Sequence, residues 1–225
     1  MNTNIASNFY NNSGIIKINE PFSERSIKLF NRVRPYCEKI VFNGAKSLEI
    51  GCGNGRFSFE LEKMGCLATG IDCADKIIEY AVKFANKTNS LAKFIIGDAL
   101  NIPFQKDIFD LVFLFGNNIV EFSYSDIDKL CSQITHILNN NGVFCVEMND
   151  MFVHYNGKLN DMKNYSYENS QLTNYYEIPD KGLLPYHSYM WTVGIAKFIF
   201  EKYFGLVKIQ QIDAKRFWIE CKIYS

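Results

Sequence analysis

The chain has 225 residues, of which 48% are hydrophobic and 21% charged, and its formal net charge is +0 with a pI near 6.8. This length and apolar content predict one domain, residues 1–225, with a small insertion. A neutral chain lacks the basic character typical of nucleic-acid-binding proteins, so we expect no nucleic-acid partner.

The cysteines give no sign of a disulfide framework. Seven occur, an odd number, and none belongs to a Cys-x-x-Cys pair, which also argues against a structural zinc site. We therefore predict no metal. Residues 1–13 lack the apolar core of a secretory signal, and no run of about 18 apolar residues occurs. We expect a cytoplasmic protein without a membrane span.

The first part of the chain, residues 1–20, is rich in asparagine, and we predict a mobile segment in which Phe9 and Tyr10 are an aromatic interruption. A helical stretch follows from Pro21, because apolar residues then recur at helical spacing. Pro35 lies inside this pattern and is predicted to kink or divide the helix, since proline lacks the N–H that a helix interior uses.

A glycine-rich turn comes next. Residues 46–57 read Lys-Ser-Leu-Glu-Ile-Gly-Cys-Gly-Asn-Gly-Arg-Phe, which predicts a strand, a tight turn and a helix. Glycine lets the backbone turn sharply and approach a ligand, and the N-terminus of the following helix offers free N–H donors. The stretch predicts a nucleotide-cofactor loop, with a ligand-free glycine turn as the alternative.

The spacing of the glycines distinguishes between cofactors. A dinucleotide site has Gly-x-Gly-x-x-Gly, whereas Gly51, Gly53 and Gly55 form Gly-x-Gly-x-Gly, and Glu49 lies two residues earlier. A carboxylate beside the turn disfavours a pyrophosphate, and so a nicotinamide dehydrogenase. It favours a ligand with a positive centre. S-adenosylmethionine, which carries a sulfonium and an ammonium and no phosphate, meets this requirement.

Strands and helices then alternate over residues 47–148, which specifies a parallel sheet with helices on both faces. Four more apolar runs are predicted strands: 66–71, 92–96, 111–115 and 143–146. The helix before the last of them has Ser125 as its predicted N-cap, with Asp128 as in a capping box. Residues 139–142 are predicted to end that helix in a left-handed conformation.

Two acids end predicted strands on the same rim of this sheet. Asp72 follows the glycine turn by about 20 residues, where a carboxylate reaches the hydroxyls of a ribose. A helix N-cap is the alternative for Asp72. Asp98 precedes Ala99 at the end of the third strand, where a carboxylate can accept from an adenine amino group. A turn aspartate is the alternative for Asp98.

Residues 151–190 break the alternation. They are rich in tyrosine and asparagine, include Pro179 and Pro185, and show little helical period, so we predict a substrate-covering insertion of loops or antiparallel strands. Helical periodicity returns over residues 192–204. Residues 206–212 and 217–224 then form a predicted antiparallel pair of strands.

Together these features resemble the class I S-adenosylmethionine-dependent methyltransferases. The acid-x-Gly-x-Gly-x-Gly motif, the rim acids Asp72 and Asp98, and the terminal helix and hairpin carry the resemblance. It implies an α/β fold with a doubly wound, Rossmann-like, mostly parallel seven-stranded sheet and an antiparallel C-terminal hairpin. It also implies S-adenosyl-L-methionine as the cofactor and methyl transfer by in-line displacement as the reaction.

The resemblance implies roles for individual residues. The glycine turn with Glu49 would flank the methionine end of the cofactor, Asp72 would bind the ribose, and Asp98 with Ala99 would read the adenine. Residues after the fourth strand would lie near the sulfonium, and Tyr10 would belong to a lid. The predicted cofactor-binding residues are Tyr10, Glu49, Gly51, Cys52, Gly53, Gly55, Asp72, Cys73, Asp98, Ala99, Phe115 and Asn117.

A finer resemblance concerns the acceptor. Phe115-Gly-Asn-Asn-Ile and the strand ending in Glu147-Met-Asn are similar to glycine N-methyltransferases and other small-molecule methyltransferases. That subgroup often has Arg-Asn-Tyr after the fifth strand, but this chain has no arginine there, which disfavours glycine as the substrate. Residues 117–120 also lack the Asn/Asp-Pro-Pro-aromatic segment of DNA amino methyltransferases.

We therefore expect a small-molecule nitrogen or oxygen acceptor and a monomer or homodimer. A methyltransferase of protein or RNA, or a non-catalytic binding module, is the alternative. His187, just before the last helix, is the predicted catalytic residue, because histidine titrates near neutrality and can act as a base. A surface or hydrogen-bonded structural histidine is the other interpretation. The tyrosines of the insertion either form an apolar or cation-binding pocket or pack a loop-rich cap.

Overall fold

The computed structural model describes residues 3–14, 20–155, 165–168 and 170–223. The helices are α1 (Thr3–Asn12), α2 (Glu24–Phe30), α3 (Arg34–Cys37), α4 (Arg56–Lys63), α5 (Asp75–Thr88), α6 (Tyr124–Ile137), α7 (Met151–Tyr155) and α8 (Val193–Phe200). The strands are β1 (Lys46–Ile50), β2 (Leu67–Asp72), β3 (Lys93–Ile96), β4 (Phe109–Leu114), β5 (Leu138–Asn149), β6 (Tyr165–Glu168), β7 (Gln171–Ile178), β8 (Gly182–Tyr189), β9 (Leu206–Gln211) and β10 (Arg216–Lys222). A 3-10 helix, Asn118–Glu121, follows β4.

Seven of these strands form one sheet in the order β3-β2-β1-β4-β5-β10-β9. The first five in that order pair in parallel, whereas β10 runs antiparallel to both β5 and β9. This confirms the predicted doubly wound, mostly parallel, seven-stranded sheet with an antiparallel C-terminal hairpin.

The strand order reverses between β1 and β4. The chain builds β1, β2 and β3 toward one edge, then crosses to add β4 and β5 on the other side of β1. The two βα connections that follow β1 and β4 therefore leave in opposite directions and open a crevice at the carboxyl ends of the strands. Ligands of open α/β sheets bind at this kind of position.

Helices cover both faces of the sheet. On one face, α4 and α5 bury Phe59 and Ile78, and on the other, α6 and α8 bury Ile134 and Phe200. Burial of one such side chain contributes roughly 1.5–3 kcal/mol. β4 lies between the two layers and is almost wholly buried, which explains its continuous apolar sequence.

The predicted N-cap of α6 was wrong. Ser123 caps the helix, because its Oγ accepts the Asp126 N–H at 3.1 Å and Asp126 Oδ2 accepts the Ser123 N–H at 2.9 Å. Two Ser-x-x-Asp patterns overlap here, Ser123 with Asp126 and Ser125 with Asp128. Only Ser123 has the extended backbone of an N-cap, whereas Ser125 already lies within the first turn.

The predicted left-handed end of α6 was also wrong. Leu138 is extended, with φ −72° and ψ 138°, and the chain passes directly into β5. No residue in the range 139–142 has a positive φ. Asn139 Nδ2 donates to Asp110 Oδ1 on β4 at 2.5 Å, so a side-chain bond ties this asparagine to the sheet.

The N-terminal region contains a helix, α1, that the sequence did not predict. Phe9 packs against Tyr176 and Tyr186, with ring centroids 5.3 and 5.0 Å apart. The mobility of residues 1–20 stays a prediction, and residues 1, 2 and 15–19 lie outside the described residues. Farther on, Pro35 lies in the first turn of α3, which is separate from α2, as the predicted division of the helix requires.

The insertion at residues 151–190 contains an antiparallel sheet, β6-β7-β8, one of the two forms predicted for it. Residues 156–164 and 169 of the insertion lie outside the described residues. Trp191, where the insertion ends, donates its Nε1–H to the Phe122 carbonyl at 2.8 Å. This bond ties the insertion to the segment that follows β4.

Candidate functional site

A cleft, called here the main cleft, opens at the reversal of strand order and encloses ≈ 1010 Å³ including its open mouth. Most predicted cofactor-binding residues line it: Tyr10, Glu49, Gly51, Cys52, Gly53, Asp72, Cys73, Ala99 and Phe115. Gly55, Asp98 and Asn117 do not belong to its lining.

The glycine turn forms one wall of the main cleft. Gly51 and Gly53 have φ values of +67° and +54°, which residues with a Cβ rarely adopt. A Cβ on Gly53 would meet open space, whereas one on Gly51 would lie 2.6 Å from Asn118 Nδ2. At Gly55 a Cβ would lie 2.4 Å from the Phe94 ring. Gly55 therefore serves close packing of α4 on β3 and does not face the cleft.

Asp72 connects β2 to the glycine turn. Its Oδ2 accepts the Gly53 N–H at 2.8 Å, and its Oδ1 accepts the Ala74 N–H at 2.9 Å. Burial raises the pKa of this carboxyl, and the backbone donors partly offset that rise. Ala74 holds the N-cap position of α5, so the helix-cap alternative does not apply to Asp72.

Glu49, on β1, is 3% exposed. The Ser58 hydroxyl donates to its Oε2 at 2.5 Å. Burial raises the pKa of Glu49 to about 8, although the Ser58 hydrogen bond and the charge of Arg56 lower it. Because an opposite charge favours the ionised form of a carboxyl, this site gains from a cationic ligand group.

Arg56, the first residue of α4, brings a positive charge to the same cleft. Its guanidinium lies over the Phe57 ring, with Cζ 4.6 Å from the ring centroid. Nη1 is buried and has no hydrogen-bond partner among the described residues. An unmade buried hydrogen bond costs roughly 1–3 kcal/mol, so this buried nitrogen carries an energetic cost in the folded chain. The sequence analysis missed Arg56, although its position directly after the glycine turn was a usable signal.

The asparagines after β4 face different ways. Asn118 Nδ2 donates to the Gly51 carbonyl at 2.8 Å and holds the glycine turn. Asn117 turns toward β5 instead, where its Oδ1 accepts the Asn149 N–H at 2.7 Å and its own N–H donates to Glu147 Oε2 at 3.2 Å. Asn118, which the sequence analysis did not single out, therefore borders the main cleft, and Asn117 does not.

Of the residues at the predicted adenine end of the site, only some line the main cleft. Gly97 and Ala99 line the main cleft, but Asp98 does not. Asp98 Oδ1 accepts the Leu100 N–H at 2.8 Å, the geometry of the turn alternative. Its contact with an adenine stays a prediction.

Three hydrogen-bonded side chains lie at one side of the main cleft, and two of them, Tyr10 and Glu121, line it. Tyr10 of α1 and Tyr186 of β8 both donate to Glu121 Oε1, the latter at 3.2 Å. Burial raises the pKa of Glu121 to about 7, with Asp72 adding to the rise and the two tyrosine hydroxyls lowering it. The sequence analysis missed Glu121, although a lone acid within the apolar run 119–122 was a signal for it.

A second cleft lies between α1 and β8 and combines apolar walls with a few polar groups: Ile5, Ala6, Phe9, Glu121, Gln171, Pro185, Tyr186, His187 and Tyr189. The predicted catalytic residue, His187, belongs to this cleft and not to the main one. Its Nδ1 lies 3.0 Å from Thr173 Oγ1 and also contacts Gln171 Nε2. Desolvation lowers the pKa of His187. Glu121 is common to both clefts.

Within the described ranges, no group of three or more His, Cys, Asp or Glu side chains could hold a metal ion, and all seven cysteines are free thiols. In the same part of the chain, no helix has both the length and the apolar character needed to cross a bilayer.

Part of the chain matches a known protein family. A sequence profile described as a methyltransferase domain matches residues 48–142, the segment that contains the glycine turn, Asp72 and Asp98. The fold of the whole chain is that of S-adenosylmethionine-dependent methyltransferases of known structure. A curated relative, the sterol 24-C-methyltransferase of Schizosaccharomyces pombe, is 30% identical over 106 residues. That match covers 46% of this chain and 27% of the yeast protein, so the chain spans little more than a quarter of its relative.

Solved structures share the fold of this chain. A protein of Pyrococcus horikoshii OT3 has a TM-score of 0.78 at 20% identity, covering 90% of this chain and 93% of that one. The magnesium protoporphyrin IX methyltransferase of Synechocystis PCC 6803, crystallised with S-adenosylhomocysteine, has a TM-score of 0.67 at 11% identity, covering 99% and 100%. At these identities the similarity shows the fold alone.

S-adenosylmethionine is the cofactor of this family, and the residues of the main cleft fit it. The positive charge of Arg56, which lines the cleft, suits the carboxylate of the cofactor. The buried Glu49 carboxyl matches a cationic group. The open space that faces Gly53 leaves room for a ligand against the backbone.

Proposed function

We propose that this methyltransferase transfers a methyl group from S-adenosyl-L-methionine to a nitrogen or oxygen atom of a small molecule. The observation that carries the proposal is the presence of an acid and an arginine beside the glycine turn. The buried carboxyl of Glu49 and the side chain of Arg56 line the same cleft. They complement a ligand with cationic and carboxylate groups, and an acid at this place disfavours a pyrophosphate.

In this proposal the other predicted residues hold the nucleoside. The two oxygens of Asp72 accept the Gly53 and Ala74 N–H groups, and the carboxylate has further acceptor capacity, which suits the hydroxyls of a ribose. Ala99 lines the cleft where the adenine is proposed to lie, and Phe115 lines it near the proposed sulfonium. Tyr10 covers the cleft from α1.

The bound cofactor would supply an electrophilic methyl group whose sulfur leaves uncharged. The residues of the chain then contribute alignment and exclusion of water, which can together lower a barrier by roughly 7–11 kcal/mol. Asn118, by fixing the Gly51 carbonyl, keeps the glycine turn rigid during this alignment.

The acceptor is proposed to lie in the second cleft, between α1 and β8. This assignment is supported by the contacts of α1 with β8, which border that cleft, and by Glu121, which lines both clefts. Its largely apolar lining favours a small organic molecule over a polymer.

The direct test is calorimetric titration of the protein with S-adenosylmethionine and S-adenosylhomocysteine, with NAD as the control ligand. We expect both sulfur ligands to bind and NAD not to bind. Incubation with pools of small molecules should then give products heavier by one methylene, detected by mass spectrometry. Absence of binding by either sulfur ligand at millimolar concentration would refute the proposal, and methylation of protein or RNA alone would refute the acceptor class.

A further inference from the structure

The two clefts meet at one carboxyl group. Glu121 lines both of them. Its Oε1 accepts the hydroxyl protons of Tyr10 and Tyr186, whereas Oε2 accepts no hydrogen bond from any residue that the structure describes. With one oxygen held and the other free, this carboxyl is positioned to touch a molecule that enters the second cleft and reaches toward the first.

We propose that Glu121 binds the methyl acceptor and takes a proton from it, and that the acceptor is a primary or secondary amine attached to an apolar or aromatic group. This inference rests on the proposed methyl transfer, because it names the substrate class of the same site.

The walls of the second cleft favour an amine. The rings of Phe9, Tyr186 and Tyr189 line it, and among the described residues of its lining there is no lysine or arginine. Because desolvation lowers the pKa of His187, that side chain is neutral near neutral pH. The one formal charge of the described lining is then the negative charge of Glu121. An ammonium group pairs with that carboxylate, and the aromatic faces attract the same cation.

The groups that face Glu121 make it a suitable proton acceptor. Tyr10 from α1 and Tyr186 from β8 donate hydrogen bonds that favour its carboxylate form, whereas burial and the negative charge of Asp72 disfavour it. Cys73, beside Asp72, is a neutral thiol because burial raises its pKa to about 12. The pKa of Glu121 is about 7, so it is a stronger base than an ordinary glutamate and is still substantially ionised near neutral pH.

The proton transfer produces the reactive form of the acceptor. An ammonium ion has no lone pair, so it gives one proton to the Glu121 carboxylate and becomes the neutral amine. The nitrogen lone pair then forms the new C–N bond with the methyl carbon, while the C–S bond breaks and its electron pair stays on the sulfur of the thioether. The product is the N-methylated ammonium ion, and the proton on Glu121 passes to solvent.

The test compares phenethylamine with phenethyl alcohol, which has the same ring and chain but no ammonium group. Dissociation constants are measured by calorimetry on the full chain saturated with S-adenosylhomocysteine. We expect the wild-type protein to bind the amine at least about tenfold more tightly than the alcohol. Glu121→Gln, which keeps the shape and loses the charge, should bind both probes equally. The matched control His187→Gln should keep the preference for the amine.

A second measurement follows the proton without either probe. The protein is labelled at the carboxyl carbons of its glutamates, and the NMR signal of Glu121 is identified as the one that Glu121→Gln removes. The chemical shift of this signal should change with a midpoint near neutral pH. Tyr186→Phe removes a hydrogen bond to the charged form and should raise that midpoint.

Three results would overturn the inference. The first is that the wild-type protein binds phenethylamine no more tightly than phenethyl alcohol, or not at all. The second is that His187→Gln loses the preference for the amine while Glu121→Gln keeps it. The third is an NMR titration midpoint of Glu121 in the ordinary glutamate range. Failure of the wild-type protein to bind S-adenosylhomocysteine would instead refute the proposed function. Binding of that ligand without a preference for the amine would refute the present inference alone.

Discussion

Asp72 Oδ2 accepts the Gly53 N–H at 2.8 Å, so the end of β2 directly holds the glycine turn that follows β1. The other oxygen of the same carboxyl accepts the Ala74 N–H. Asp72 therefore shapes the turn and lines the cleft at once. A change at this side chain is expected to act on a ligand both through a lost contact and through a displaced backbone.

Asp72→Asn should weaken S-adenosylhomocysteine binding by about tenfold to a hundredfold. The amide group would direct an N–H toward one of the two backbone donors, Gly53 or Ala74, and an unsatisfied buried donor costs roughly 1–3 kcal/mol. Calorimetric titration measures the affinity. Asp107→Asn, on an exposed aspartate away from the cleft, is the control and should bind as the wild type does. Wild-type affinity in Asp72→Asn would contradict the ribose assignment.

Binding of S-adenosylmethionine should release protons near neutral pH. The pKa of Glu49 is about 8 in the free protein, so this carboxyl is mostly protonated there. A cationic ligand beside it lowers that pKa and drives the proton off. Phosphate and Tris have different enthalpies of ionisation, so the apparent binding enthalpies measured in the two buffers should differ. The size of that difference should correspond to the release of up to one proton for each ligand bound. The difference should disappear in Glu49→Gln and persist in Glu79→Gln, an exposed control.

The pH dependence of stability should also depend on Glu49. Its pKa rises from 4.5 when unfolded to about 8 when folded, so folding favours the protonated carboxyl. The contribution of Glu49 to the free energy of unfolding is complete below pH 4.5 and is lost progressively as the pH rises to about 8. Glu49→Gln cannot ionise, so the variant does not lose stability in this way. Its thermal midpoint should therefore exceed that of the wild type by more at about pH 9 than at about pH 5. A constant difference between the two proteins would contradict this explanation.

The prediction of the sheet from sequence succeeded because its signals are local. Apolar runs separated by helical periods specify a parallel sheet, and a glycine turn before a helix needs only adjacent residues to be recognised. The end of α6 shows the limit of such signals. Asn139 and its neighbours have the composition of a helix stop, but the bond from Asn139 to Asp110 on β4 ties this segment to the sheet, and that bond joins residues far apart in sequence.

The candidate site likewise contains residues that a local motif predicts and residues that only long-range packing brings together. Glu49, Asp72 and the glycines follow from a short motif and a fixed spacing, and they line the main cleft. Glu121 does not follow from either, because its partners Tyr10 and Tyr186 are 111 and 65 residues away in the chain. Contacts of this kind depend on how α1 and β8 pack, and no local pattern encodes that packing.

Gly51 and Asn118 should show coupled effects. A Cβ on Gly51 would lie 2.6 Å from Asn118 Nδ2, and its φ of +67° is unfavourable for alanine. Gly51→Ala should destabilise the protein by about 1–3 kcal/mol through this strain. Asn118→Ala should cost about 1 kcal/mol through loss of the hydrogen bond to the Gly51 carbonyl. Denaturant unfolding of both single variants and the double variant measures the coupling.

The double variant should be more stable than the sum of the two single losses predicts, because removal of the Asn118 side chain relieves its clash with the new Cβ. Strictly additive losses of stability would contradict this expectation.

Arg56 should distinguish ligands by their carboxylate. Arg56 lines the main cleft, so its guanidinium is expected to pair with the carboxylate of a bound ligand. Arg56→Gln should weaken S-adenosylhomocysteine binding by about tenfold or more, because a hydrogen bond to a charged group contributes roughly 1.5–3 kcal/mol. Methylthioadenosine has the same nucleoside and sulfur but no amino acid group, and its affinity should change little. Arg25→Gln, on an exposed arginine near Arg56, is the matched control for net charge. An equal loss for both ligands in Arg56→Gln would mean that the arginine supports the shape of the cleft and does not bind the carboxylate.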